Sequence, residues 1–236
     1  MKGIFNLIKF VLAISLLFVM IYFSERNNNR NYCKIKEINI EMDENEFVTE
    51  DLIHNYLLNN NLHPDSIKIN DISFKKIESL LENHPSIKNA NVYSDMKGKI
   101  SIVVFQRKPI VRIQNQKDGY YLDEDGLRMP LSNEYTARML LVTGEVNSVN
   151  QNDLYYLSTF IIKDSFLKRQ IVQIDISDSE LLMLTQIGEQ VEFGRIEEVE
   201  QKFDKLKLYY QKGGFQNQEF KILNLKYKNQ IVCIKK

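Results

Sequence analysis

Asp123, Asp125 and Gly126 stand at the spacing that opens a calcium loop, where alternating carboxylates and a glycine turn wrap a hard cation. The remaining ligands and the closing glutamate of such a loop are missing, so the sequence reads these residues as a tight turn. The three histidines are as poorly placed for chemistry. His54 falls in a helical pattern, and His63 and His84 each precede a proline. None has a partner at metal-ligand spacing or belongs to a nucleophile motif with serine or cysteine. Glu197, Glu198 and Glu200 read as the first turn and solvated face of a helix. No glycine loop of the phosphate-binding kind occurs. The reading is of a chain without catalytic, cofactor or metal residues, whose function rests on binding surfaces.

Composition narrows those surfaces. Of 236 residues 44% are hydrophobic and 26% charged, the balance of a globular protein with room for one large or two small domains. Thirty-one basic residues offset thirty-one acidic ones, and the resulting zero net charge offers no field to hold nucleic acid. Cys33 and Cys233 lack Cys-x-x-Cys spacing; an even count permits one disulfide in an oxidising compartment without requiring it.

The N-terminus suggests which compartment. Ile4 to Phe23 is mostly apolar and, at ~1.5 Å per helical residue, reaches across a hydrocarbon core of about 30 Å. Lys9 can snorkel and Tyr22 suits an interface. A cleaved secretory signal would want small residues before the cut, and Met20 to Arg26 has no such triplet, so an uncleaved anchor is expected at 4–23. Positive charges flank it on both sides, at Lys2 and Lys9 and at Arg26, Arg30, Lys34 and Lys36, so charge alone does not orient it. Residues 24–33, with Asn27 to Asn31, read as a polar leash.

Beyond the leash the predicted order is strand, helix, helix, strand, strand. Ile38 and Ile40 alternate with polar residues; Thr49 precedes a helical pattern at Leu52, Ile53, Tyr56 and Leu57; Asp71 or Ser73 starts a second helix that stops before Pro85. From His84 to Ile113 a hairpin turns at Asp95–Gly98, its second strand apolar on both faces and therefore central or covered, and Pro109 ends the ladder before Ile110, Val111 and Ile113 resume it. The expected core of this unit includes Ile38, Leu52, Ile77, Leu80, Val92 and Ile102.

From residue 110 onward short strands predominate. Strands are expected at Gly119–Asp123, at Met139–Gly144, at Val172, Ile174 and Ile176, at Leu182 and Leu184, and at Val191 and Phe193. One helix is expected from Asp153 through Phe166 and a second, stepping through Ile196, Val199, Phe203, Leu206 and Tyr210, ends at Gly213-Gly214. A last hairpin runs from Phe220 to Tyr227 and from Gln230 to Lys236 around Lys228-Asn229. The whole reads as an antiparallel meander carrying two helices.

This sequence of features resembles the FtsQ/DivIB family of bacterial cell-division proteins. The resemblance is carried by a strand after His84-Pro85 that closes on Arg107-Lys108-Pro109, the Asp123–Gly126 turn, Leu141-Val142-Thr143-Gly144, Val191-Glu192-Phe193-Gly194 before a helix, and a terminal hairpin with Leu225-Lys226-Tyr227. Two departures are a minimal tail ahead of the anchor and Leu140-Leu141 where relatives often carry Leu-Pro. The resemblance implies an α+β chain: a short cytoplasmic tail at 1–3, a single transmembrane helix at 4–23, a POTRA domain (β-α-α-β-β) at 34–109 and a mostly antiparallel β domain with two helices at 110–236, the folded part lying in the periplasm of a Gram-negative cell. It also implies a non-enzymatic divisome scaffold at the septum, without cofactor, that binds FtsB- and FtsL-type partners. The partner-binding residues would be Tyr227 and an edge strand of Ile231, Val232, Cys233, Ile234 and Lys235; an ordinary half-buried strand aromatic is the other reading of Tyr227. The alternatives are an anchored POTRA module of a secretion or outer-membrane assembly system and an anchored periplasmic enzyme.

Overall fold

The computed structural model describes residues 2–28, 32–41, 46–95, 98–115, 118–132, 137–214 and 220–235. Asn29, Arg30 and Asn31 of the leash, Met96 and Lys97 of the hairpin turn, and Lys236 lie outside the described residues. The chain divides into two compact units, Met1–Gln106 and Arg107–Lys236.

The first unit begins with helix α1, Lys2–Asn28, in which the large apolar side chains from Phe10 to Tyr22 are exposed. Among the described residues no helix is long and apolar enough to cross a membrane. The α1 side chains are described only over 9–22, about 21 Å of helix at ~1.5 Å per residue.

Next come β1 (Lys34–Glu41), α2 (Glu50–Asn59), a 3-10 turn (Pro64–Ser66), α3 (Phe74–Glu82), β2 (Ile87–Ser94) and β3 (Lys99–Gln106). Helix α2 starts where Thr49 Oγ1 accepts the Leu52 N–H at 3.2 Å, with Glu50 and Asp51 at the positive end of its dipole. Ser73 holds the N-cap position of α3 but makes no side-chain cap bond. The expected strand-helix-helix-strand-strand order is the order found. β3 is the middle strand, parallel to β1 and antiparallel to β2. Ile53, Leu57, Ile77 and Leu81 from the helices close over Ile38, Ala90, Val92, Ile100, Ile102 and Val104. Two expected core members are corrected: Leu52 and Leu80 are only half-buried, and the phase of α3 sends Ile77 and Leu81, four residues apart on one face, fully inward. β3 is central, as expected, although its Phe105 is exposed. Gln106 closes the unit: its buried Oε1 accepts the N–H groups of Phe47 and Val48 at 2.7 and 2.9 Å.

The second unit contains β4 (Pro109–Gln114), β5 (Gly119–Asp123), β6 (Arg128–Pro130), β7 (Leu140–Gly144), α4 (Gln151–Lys163), α5 (Ser165–Gln170), β8 (Ile171–Ser177), β9 (Glu180–Thr185), β10 (Gln190–Gly194), α6 (Val199–Tyr209), β11 (Phe220–Asn224) and β12 (Val232–Lys235). Its nine strands form one sheet in the order β12-β11-β10-β9-β8-β7-β4-β5-β6. One face packs on α4 and α6 through Val142, Ile174, Met183, Val191 and Phe193 against Leu157, Ile161, Phe203 and Leu206.

Three expectations change here. The sheet is mixed, because β4–β7, β7–β8 and β10–β11 pair in parallel. Two of these pairs are bridged by helices, α4 and α5 between β7 and β8, and α6 between β10 and β11, the connection a parallel pair demands. The single helix expected from 153 to 166 is two helices, giving three α-helices among the described residues of the unit. Asp164 is extended (φ −91°, ψ 115°) and its Oδ1 accepts from Phe166 and Leu167 N–H at 2.9 and 3.0 Å, so a new helix is capped inside the apolar run. Strand phase also differs: bulges between Ile171 and Gln173 and between Glu192 and Gly194 accompany a register in which Ile171, Leu181 and Met183 face inward, while Val172, Leu182 and Leu184 are exposed.

Ile77→Ala leaves a void between α3 and the three-stranded sheet and should cost about 2–5 kcal/mol, most of what a small unit has to spare. Denaturant unfolding followed by circular dichroism checks this, and an unchanged midpoint would mean that α3 is not packed on the sheet.

Candidate functional site

β12 is the last strand of the nine-stranded sheet. It pairs antiparallel with β11, placing Val232 opposite Asn224, Cys233 opposite Leu223 and Ile234 opposite Ile222. Among the described residues no strand lies on its other side. Its side chains alternate: Cys233 is half-buried against the core, whereas Val232 and Ile234 are 38% and 48% exposed. Burial, and then the nearby Glu189, push the Cys233 thiol up from its ordinary range. Cys33 and Cys233 are both free thiols.

Of the six partner-binding positions expected from sequence, Val232, Cys233, Ile234 and Lys235 are β12 itself. Ile231 precedes the strand and packs partly against the core. Tyr227 is not in a strand: β11 ends at Asn224, and Tyr227 sits in a bend with 52% of its surface exposed. The expected strand running through Tyr227, and with it the reading as a half-buried strand aromatic, is therefore corrected. Asn224 stops the strand by turning its side chain on its own backbone, Oδ1 accepting Lys226 N–H at 2.9 Å.

The bend is fastened from below. Lys205, on α6, donates its ammonium to Leu225 O at 2.9 Å and to Tyr227 O at 2.5 Å, and Leu225 N–H reaches Glu192 O at 3.0 Å. Burial holds the Lys205 pKa below its usual value, with Glu198 acting the other way. Lys226 and Lys228 pair with Glu180 and Glu198 at 3.0 and 3.5 Å, and Asn229 takes a left-handed conformation (φ 58°) at the tip. Beneath the hairpin, buried Glu189 accepts from the Tyr210 hydroxyl, and Thr185 Oγ1 accepts Glu189 N–H at 3.0 Å. Burial and this carboxylate push Tyr209 up to about 12 and Tyr210 further. The floor under β11 and β12 is thus a polar cluster set in apolar packing.

The other strand edges are blunted. On β2, Val92 N–H donates to Glu78 Oε1 at 2.9 Å and Ala90 N–H to Glu82 Oε1 at 3.4 Å, both carboxylates coming from α3. Beside β1, Ile35 N–H donates to Asp65 Oδ1 at 3.1 Å and Cys33 N–H to Ile67 O at 3.0 Å. At the far end of the large sheet β6 has three residues and ends in Pro130, which has no N–H to offer; its Arg128 lies over the Tyr120 ring and reaches Gln151. These are standard ways of closing an edge to another chain. The sequence reading missed Glu78 and Glu82. Their four-residue spacing places them on one flank of α3, but nothing in the sequence says which strand passes that flank.

The residues weighed first for chemistry are engaged in structure. Asp123 is buried; it accepts N–H from Asp125 and Leu127 at 3.0 and 2.7 Å and a guanidinium N–H from Arg107 at 2.8 Å, and so builds the turn. Glu197 and Glu198 come before α6 begins, with Glu198 left-handed at φ 50°, and only Glu200 is in its first turn. His84 Nδ1 accepts Ser86 N–H at 3.2 Å, while His54 and His63 meet at 2.9 Å, a contact the sequence did not reveal.

Two family models match the chain. One, described as FtsQ/DivIB, C-terminal related, covers residues 108–234, and the other, described as a POTRA-like domain, covers 31–105. No curated protein matches.

Lys205→Met keeps the aliphatic stem but removes the donor shared by two backbone carbonyls. It should cost about 1 kcal/mol and speed amide exchange in the bend, with β12 remaining paired to β11. Equal exchange in the two proteins would show that Lys205 does not hold the bend.

Proposed function

Because this chain belongs to the FtsQ/DivIB family, we propose that it is a non-enzymatic scaffold of bacterial cell division that binds FtsB- and FtsL-type partners by adding one of their strands to β12. The observation that carries this reading is the contrast between edges: side chains or proline blunt β1, β2 and β6, while β12, among the described residues, is paired on one side only. Added strands gain affinity through main-chain bonds and selectivity through alternate side chains. Val232 and Ile234 are the exposed side chains such a strand would run beside, and Tyr227 stands exposed at the end of the hairpin. Through this contact the protein would help recruit and regulate septal peptidoglycan synthesis.

The reading extends to the membrane. α1 would be an uncleaved anchor in the inner membrane, its N-terminus cytoplasmic and the two folded units periplasmic. What supports this is a helix of 27 residues whose apolar side chains from Phe10 to Tyr22 are exposed, which water does not favour. The full chain should then stay with membranes through alkaline extraction and keep its N-terminal residues, with the folded units digested only by protease added outside the inner membrane. A mature N-terminus near Ser24 removes the anchor from the account.

The edge is tested by proline at adjacent positions. Successive residues of a strand direct their N–H groups to opposite sides, so of Val232→Pro and Cys233→Pro one deletes a donor facing the open edge and the other a donor facing β11. At least one folded proline variant should lose capture of the partner complex in a pull-down, with Val232→Thr much milder and Tyr227→Ala intermediate. Undiminished capture by both variants, each folded by circular dichroism, means that the partner docks elsewhere.

A further inference from the structure

His63 is the N-cap of the 3-10 turn Pro64–Ser66, and its Nδ1 accepts the Asp65 backbone N–H at 3.3 Å. Its other ring nitrogen, Nε2, lies 2.9 Å from Nδ1 of His54 on α2, with 29° between the ring planes. A nitrogen that accepts carries no proton, so a neutral His63 keeps its single ring proton on Nε2 and donates it to His54 Nδ1. That nitrogen must be bare in turn. The direction of the whole chain is set by a backbone N–H, which cannot reverse.

A proton arriving on His54 Nδ1 meets the Nε2–H of His63. His63 can give way only by moving its proton to Nδ1, where it meets the Asp65 N–H. A proton arriving on His63 Nδ1 opposes the cap directly. The arrangement therefore survives only while both accepting nitrogens are bare.

The turn that His63 caps is also the strip that fastens the segment leading into the first unit. Asp65 Oδ1 accepts Ile35 N–H at 3.1 Å, Ile67 O accepts Cys33 N–H at 3.0 Å, and Tyr32 forms a β-bridge with Lys68. We infer that His54 and His63 form a proton-sensitive latch, closed when both rings are neutral, that holds residues 32–35 against the 3-10 turn and releases them on acidification.

Burial is the largest influence on His63 and pulls its pKa below the usual imidazole range; the Asp65 carboxylate works against it and His54 with it. In the leading segment the Cys33 thiol is pushed up by burial and by the same Asp65 carboxylate, and on β1 Lys36 and Glu37 pair with each other at 3.0 Å. A histidine whose folded pKa is depressed contributes its stability above the unfolded value, about 6.5, and loses it as pH falls through the lower folded value. His84 is depressed by burial as well, so a global melt would mix the two effects. A local readout separates them.

Amide exchange of the full chain in detergent micelles, corrected for the intrinsic rate, is compared at about pH 7.5 and about pH 5. The Cys33 and Ile35 amides should lose roughly tenfold or more of their protection at the lower pH. His63→Asn keeps an N-cap oxygen but cannot titrate, so its protection should be the same at both values. Nitrogen-15 shifts of the rings should show His63 as the Nε2–H tautomer near neutrality. Constant protection in the unaltered protein, the same loss in His63→Asn, or an Nδ1–H tautomer at His63 would each overturn the latch.

Discussion

A β-sheet that does not close on itself ends in two rows of backbone N–H and C=O groups with no strand to receive them, and that constraint organises this protein. Water satisfies such groups, but so does any extended chain that arrives, so an edge is either defended or used. The defences here are specific. α3 sends Glu78 and Glu82 to the N–H groups of β2, the 3-10 turn covers the start of β1, and β6 is cut to three residues ending in proline. The C-terminal strand carries apolar side chains on its exposed side, at Val232 and Ile234, where a defended edge would carry charge.

An edge is useful to a partner only if it is held still. The packing behind β12 does this in layers. Phe203 of α6 stacks on Phe160 of α4 at 5.5 Å between ring centres and tilts against Phe193 of β10 at 5.1 Å, locking the helices to the sheet. Lys202 is buried, its ammonium over the Phe193 ring and bonded to Arg195 O, and Tyr210 is tied to Glu189. From this anchored helix Lys205 reaches the carbonyls of Leu225 and Tyr227. The position of the last hairpin thus follows from the phase of α6, and the apolar steps at Val199, Phe203, Leu206 and Tyr210 that bury one side of that helix also aim Lys205.

Much of this was legible in the residues, and the reasons for the rest are local. Thr49 before an apolar helix pattern, the asparagines after it and Gly213 past α6 fix ends by backbone chemistry that the sequence states outright. The three parallel pairings of the large sheet were not legible, because a short apolar strand reads the same in either direction. The break at Asp164 was hidden because apolar residues recur on either side of it, at Phe160 to Ile162 and at Phe166 and Leu167, and one capping carboxylate outweighs that pattern. Ile171-Val172 in β8 and Leu181 to Leu184 in β9 are unbroken apolar runs, so alternation could not say whether Leu181 or Leu182 faces inward. Tyr227 was misread because Leu225 and Tyr227 alternate as a strand would, while Asn224 had already ended the ladder. The edge itself was foreseen from position in the chain, but its contrast with the carboxylate-capped β2 needed coordinates.

Whether the open side of β12 receives a partner's strand is tested most directly by hydrogen exchange at the single amides of Val232 to Lys235. In the free protein, alternate amides should differ, those facing β11 protected and those facing outward fast. Addition of the FtsB- and FtsL-type complex should slow the outward-facing amides selectively and leave the alternation with β11 in place. Outward-facing amides that exchange equally fast in a saturated complex would contradict strand addition at this edge.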